Sequence, residues 1–147
     1  MTSIFPTIVD QTYADTSAVE RRNTKTCVFD FAAGEFVMEN RRPKIVSGIE
    51  RIQAWIEKLV RTELGAFMIY SIGEGTYGVE FLQWFFSSKD REYIRVELSR
   101  EIREKMLENP EITDVRDLTV AVERHACKVA YSVQTIYGET EGNTYVQ

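Results

Sequence analysis

The sequence has little of what most catalytic and metal sites are built from. It holds one histidine, His125, and two cysteines, Cys27 and Cys127. A Ser-His-Asp or Cys-His arrangement would have to use His125. That residue falls at an expected hairpin turn, where a polar side chain simply meets water. Structural and catalytic zinc sites draw several His and Cys ligands at set spacings. Here the two cysteines lie 100 positions apart with no local partner. Two cysteines make no disulfide framework, and both sit in apolar, strand-like stretches, so buried free thiols are expected. No apolar run approaches the roughly 18 residues of a membrane span. Met1–Pro6 has no basic segment ahead of an apolar one, so no secretion signal is expected and assembly in the cytoplasm is.

Basic charge is also short. The 147 residues carry 18 Lys and Arg against 23 Asp and Glu, a net charge of −5. A nucleic-acid binder would normally present a basic face, and none is expected here. The densest basic run, Arg41-Arg42-Pro43-Lys44, has neither a glycine-rich turn nor interleaved aromatics, and reads as a solvated loop. What the chain does have is apolar content, 44%, with 12% aromatic. That is enough for one domain to build a core without metal or disulfide staples.

Residues 1–24 are mostly polar, apart from Ile4, Phe5, Ile8 and Val9 near the start. Such a segment cannot offset its own ordering entropy by self-burial, so it reads as an arm that docks elsewhere or a tail. Order is expected from Lys25. Cys27, Phe29 and Phe31 alternate, Ala33-Gly34 turns the chain, and Phe36-Val37-Met38 returns as the second strand of a hairpin that Pro43 ends. Ser47-Gly48-Ile49-Glu50 is a capping box. Behind it Ile49, Ile52, Trp55, Ile56, Leu59 and Val60 fall at helical spacing, with Glu50, Arg51, Gln53, Glu57 and Lys58 on the wet side. The spacing predicts a helix of about 15 residues.

Gly73, Gly75 and Gly78 mark an irregular loop, and Val79–Phe86 is a short apolar helix. The loop contains Gly-x-Gly-x-x-Gly, but no second parallel strand follows where a dinucleotide fold needs one, so a structural loop is favoured. From Ser87-Ser88-Lys89-Asp90 a second amphipathic helix runs to Glu108, with Ile94, Leu98, Ile102 and Met106 at four-residue steps; Asn109-Pro110 stops it. Leu118, Val120 and Val122, then Val129, Tyr131 and Val133, alternate as a C-terminal hairpin. Residues 141–147 read as a polar tail. The order of elements is α+β, a small single domain over residues 25–140.

Glu63, Glu74 and Glu80 lie near the apolar middle and could in principle pair for glycoside hydrolysis, which would require burial of one of them. Salt-bridging or loop bracing is the plainer reading. Tyr77, Phe81, Trp84, Phe85 and Phe86 exceed what one face of a short helix can bury, which leaves material for a protein-binding patch.

Several segments together resemble the XkdS-like family of phage baseplate proteins. They are Phe29-Asp30-Phe31-x-x-Gly34-Glu35-Phe36, Gly48-Ile49-Glu50 with Trp55-Ile56, Arg61-Thr62-Glu63, Tyr70-Ser71 and Tyr77-Gly78. Arg91-Glu92-Tyr93-Ile94, Asn109-Pro110-x-Ile112-Thr113-Asp114-Val115 and Thr135-Ile136-Tyr137-Gly138-Glu139 complete the match, over roughly residues 25–140. That family is related to the wedge proteins and sheath initiators of contractile tails. The resemblance implies a structural, non-enzymatic subunit without cofactor or metal. It implies a place in a sixfold ring around the tail tube, in a virion or tail-like particle. One surface would grip the wedge proteins, and the corresponding residues here are Arg61, Glu63, Gly73, Gly75, Tyr77 and Gly78. Wedge relatives carry Glu-Pro-Arg in that stretch; this chain has Glu63 without the rest. A second surface, Val129, Tyr131, Val133, Thr135, Ile136 and Tyr137, would receive extended strands of the tail sheath protein at a sheet edge. Some relatives carry a lysozyme label and a small anti-adaptor family shares the wedge fold, so a tail peptidoglycan hydrolase and a regulatory binding protein are the alternative functions.

Overall fold

Two apolar stripes at helical spacing build the core. A computed structural model describes residues 24–67, 69, 77–124 and 126–147. Helix α1 (Gly48–Arg61) buries Ile52, Ile56, Leu59 and Val60. A short helix α2 (Phe81–Phe85) follows, and then α3 (Arg91–Leu107), which buries Ile94, Leu98, Ile102 and Met106 as the four-residue spacing predicts. Among the described residues no helix is long and apolar enough to cross a membrane.

Before α1 the described residues make six short strands: β1 (Lys25–Cys27), β2 (Phe29–Asp30), β3 (Glu35–Phe36), β4 (Met38–Glu39), β5 (Arg42–Pro43) and β6 (Ile45–Ser47). The expected hairpin is present, with Phe29 opposite Phe36 and the turn at Gly34. It does not end at Pro43, which pairs with Met38, and Ile45–Ser47 runs antiparallel to β1. The capping box does not form. Ser47 is the N-cap but its hydroxyl makes no capping hydrogen bond, and Gly48 at φ +61° takes the chain into the helix through a left-handed residue.

After α3 come β7 (Ile112–Val122), β8 (Cys127–Thr135) and β9 (Gly138–Val146), a meander of order β7-β8-β9. The last strand corrects the sequence reading. Residues 141–147, expected as a polar tail, mostly belong to β9, which pairs with β8 from Gly138 to Val146 without interruption. The inner face of β9 is built from Thr140, Gly142 and Thr144 before it reaches the buried Val146, so one apolar residue at the end is all the alternation shows. The helices α1 and α3 cover one face of this sheet, α1 along β9 and α3 along β7. Val115, Val120, Val129, Val133 and Val146 meet them in a single core. The architecture is α+β, as the order of elements predicts.

One buried polar node ties the layers. Arg51, expected on the wet side of its helix, forms an ion pair with Glu111, whose side chain is only 6% exposed. The Tyr137 hydroxyl donates to the same carboxylate at 3.3 Å. Helix α1, the start of β7 and the β8–β9 turn are thereby joined at one point.

The cysteines divide. Both are free; Cys127 is buried and its thiol is pushed up to about 12 by that burial, whereas Cys27, also expected to be buried, is exposed on the short strand β1. A strand of three residues paired on one side has too little around it to enclose a side chain.

Candidate interaction surfaces

The residues expected to face wedge proteins gather at the C-terminal end of α1. Gly73 and Gly75 lie outside the described residues; Arg61, Glu63, Tyr77 and Gly78 are brought together. Gly78 makes this possible. Its φ is +119°, and a Cβ there would stand 2.8 Å from the Thr62 carbonyl and 2.9 Å from the Leu64 nitrogen. Without a side chain, the following segment lies flush against residues 62–64. Val79 donates to the Thr62 carbonyl and Leu64 to the Val79 carbonyl, a parallel bridge. The Tyr77 hydroxyl donates to the Trp55 carbonyl at 3.2 Å, and the two rings meet edge-on. The Arg61 guanidinium sits 5.0 Å over the Phe31 ring.

Glu63 then does a structural job. Its carboxylate accepts from the backbone amides of Phe81, at 3.0 Å, and Leu82, at 3.2 Å, the start of α2. Glu101, reaching across from α3, accepts from the Glu80 amide at 2.8 Å and from the Trp84 indole at 3.4 Å. Two carboxylates thus hold one short helix by its first turn, where unpaired amides favour anions. Burial raises the pKa of both, with the amide hydrogen bonds opposing it. Of the carboxylates weighed for hydrolysis, Glu74 lies outside the described residues, and Glu63 is engaged by the amides of α2. His125 also lies outside the described residues. Among the described residues no group of three or more His, Cys, Asp or Glu could hold a metal ion. Held in this way, α2 buries Phe81 and turns Leu82 and Phe86 outward, 56% and 76% exposed. Of the five aromatics that exceeded one helix face, Phe86, at the C-cap of α2, is the exposed one; Leu82 was not among them.

The residues expected to face the sheath lie elsewhere than supposed. Val129, Tyr131, Val133 and Thr135 belong to β8, and β8 is the middle strand, paired on both sides. All four side chains are buried. The expectation of a free edge at Val129–Ile136 is therefore overturned, because the polar end of the chain supplies a third strand. Ile136 is exposed, while Tyr137 is half-buried with its hydroxyl on Glu111. Thr135 locks the β8–β9 turn, its hydroxyl donating to the Gly138 carbonyl and accepting from the Tyr137 amide.

The edges are β7 and β9, and they differ. The β7–β8 ladder has two register breaks, between Ile112 and Asp114 and between Val115 and Asp117. Such bulges blunt an edge against pairing. The β8–β9 ladder has none, and β9 contains neither lysine nor proline. Thr135 and Gly138 close a two-residue turn, and in a two-residue hairpin the closing pair is the one that exchanges both backbone bonds. Alternation from that pair directs the backbone groups of Thr140, Gly142 and Thr144 to β8, and those of Glu139, Glu141, Asn143 and Tyr145 to the outer edge. Among the described residues no strand pairs with that edge. Gln53 of α1 touches it once, 3.5 Å from the Glu141 carbonyl. A groove of about 400 Å³ runs beside Glu141–Thr144, floored by α1 and closed opposite by Val28, Lys44 and Val46.

Among the described residues, a regular unpaired edge at β9 and the exposed apolar pair Leu82 and Phe86 are surfaces suited to assembly with other chains. Residues 25–138 match the contractile injection system sheath initiator family, and the chain belongs to that family. No curated protein matches it. The resemblance to contractile-tail baseplate proteins, carried by residues spread over the same span, is borne out at the level of that family.

Proposed function

We propose that this protein is a structural, non-catalytic baseplate subunit that starts the sheath of a contractile tail or tail-like particle. It links the wedge proteins to the first sheath ring, in six copies around the tail tube. The single observation that carries this reading is the outer edge of β9, nine residues in unbroken register without bulge, lysine or proline. An extended segment of the sheath protein pairs there through Asn143 and Tyr145, where backbone hydrogen bonds supply the affinity. The wedge proteins meet the α2 surface, with Leu82 and Phe86 as the apolar contacts and Glu63 as the residue that sets the helix in place.

The test is electron microscopy of particles assembled without this gene, with and without complementation. Baseplates and tubes that lack an anchored sheath, restored by the wild-type chain, are the expected result. Fully sheathed tails with normal baseplates in its absence would remove the initiator role.

A further inference from the structure

A second groove, which shares Val28, Ala54 and Glu57 with the one beside β9, has no part in this reading. It lies between β1–β2 and α1, holds about 390 Å³, and is walled by Phe29, Phe31, Trp55 and Tyr77. It shares Cys27, Phe29, Phe31 and Lys58 with an adjoining cavity of about 660 Å³ that reaches the exposed Phe36 and Ile45. The rim carries Lys25 and Lys58 against the single acid Glu57; Arg51, also in the wall, is already paired with Glu111. Thr24, the first described residue, is itself part of the wall, so the chain enters the domain at the mouth of the groove.

We propose that the groove is the seat of the chain's own N-terminal apolar stretch, Ile4 to Val9, with Asp10 and Asp15 lying toward Lys25 and Lys58. The apolar residues Ile4, Phe5, Ile8 and Val9 are the only cluster of their kind in that arm, and an acid follows them directly. The fourteen residues from Asp10 to Asn23 span about 20 Å as a flexible chain, enough to bring the stretch back over the domain. A tether of that length gives an effective concentration on the order of millimolar. The arm of a second copy, at micromolar concentration, competes poorly with it. The arm therefore covers, within each subunit, the apolar wall that β1–β6 leave open.

Cys27 lies in both cavities and reports on the occupant. In the full chain, Thr7→Cys places a thiol within the stretch without removing an apolar residue, and Thr16→Cys places one nearer to Cys27 in sequence. Cys127 is buried and stays out of the reaction. A random tether closes the shorter loop faster. Under mild oxidation at micromolar protein, seating of the arm makes Thr7→Cys form the intramolecular disulfide with Cys27 about tenfold faster than Thr16→Cys. Removing residues 1–20 should also raise the alkylation rate of Cys27 several-fold. Faster closure by Thr16→Cys would overturn the proposal. Disulfide-linked dimers alone would assign the groove to a second copy. An alkylation rate indifferent to the arm would leave the groove for another partner and also count against it.

Discussion

Consecutive prolines along β9 separate the strand's two duties. Asn143 and Tyr145 direct their amides to the outer edge; Thr144, between them, directs its amide to Val129 on β8. Proline at Thr144 removes a ladder bond in the sheet interior and brings a ring clash, about 3 kcal/mol. For a domain of this size that lowers the melting temperature by about 10 °C. Proline at Asn143 removes no ladder bond, and edge positions with an outward amide tolerate it. Its cost to the fold should stay below about 1 kcal/mol. Its effect on assembly is the reverse. Each strand-pairing bond contributes roughly 1 kcal/mol net, and a blocked approach at Asn143 strands the facing carbonyl at a further 1–3 kcal/mol. An incoming sheath strand should then bind at least tenfold more weakly. The assay is complementation of the gene deletion, counting sheathed tails by electron microscopy, beside thermal unfolding of each purified variant. Expected are an Asn143→Pro protein that melts near wild type yet leaves tails bare, and a Thr144→Pro protein that is plainly destabilised. Normally sheathed tails from a folded Asn143→Pro protein would refute the β9 edge as the sheath contact.

Two further substitutions probe what positions the surfaces. Arg51→Ala leaves Glu111 buried with only the Tyr137 hydroxyl, and should cost about 3 kcal/mol in urea unfolding; the paired exchange Arg51→Met with Glu111→Leu should recover most of it. If the single and paired variants unfold alike, the ion pair does not hold the layers together. Gly78→Ala forces a side chain into φ +119° with its Cβ 2.8 Å from the Thr62 carbonyl, and should cost about 3 kcal/mol while loosening α2, read out in a Trp55→Phe background as a shift in Trp84 emission. An unchanged midpoint and spectrum would mean that the segment at Gly78 is not held flush.

The helices were legible because burial and period coincide in them. Ile94, Leu98, Ile102 and Met106 are spaced for one face and all four are buried. The strand β9 was not legible for the same physical reason. Its inner positions before Val146 are Thr140, Gly142 and Thr144; Thr140 is satisfied by the Gln53 amide at 2.6 Å, and Gly142 makes room for the Tyr131 ring. No apolar alternation results, and a strand that pairs through backbone looks like a tail. That one omission moved the expected sheath contact from an edge to the middle of the sheet. The two-residue strands near the N-terminus are too short for any period to show. Arg51 and Glu111 lie 60 positions apart, and nothing in either neighbourhood marks an ion pair. Of the expected wedge-side group, Glu63 was singled out by resemblance as a contact, whereas its geometry gives it the prior task of seating α2.

The difference between the two sheet edges bears on direction. A subunit that begins a polymer must accept the next layer on one side and refuse it on the other. At β7, two register breaks and the charged run Asp114, Arg116 and Asp117 disrupt the regular presentation a pairing strand needs. At β9 the backbone is regular, and the restraint is electrostatic: Glu139 and Glu141 stand exposed near the turn, on a chain of net charge −5. Like charge keeps two β9 edges from pairing with each other, while a strand carrying neutral or basic residues meets no such barrier. On the proposed reading, mismatch of charge would select the partner and regularity of backbone would supply the binding. An edge closed to its own kind and open to another chain is what one-way growth from a baseplate requires.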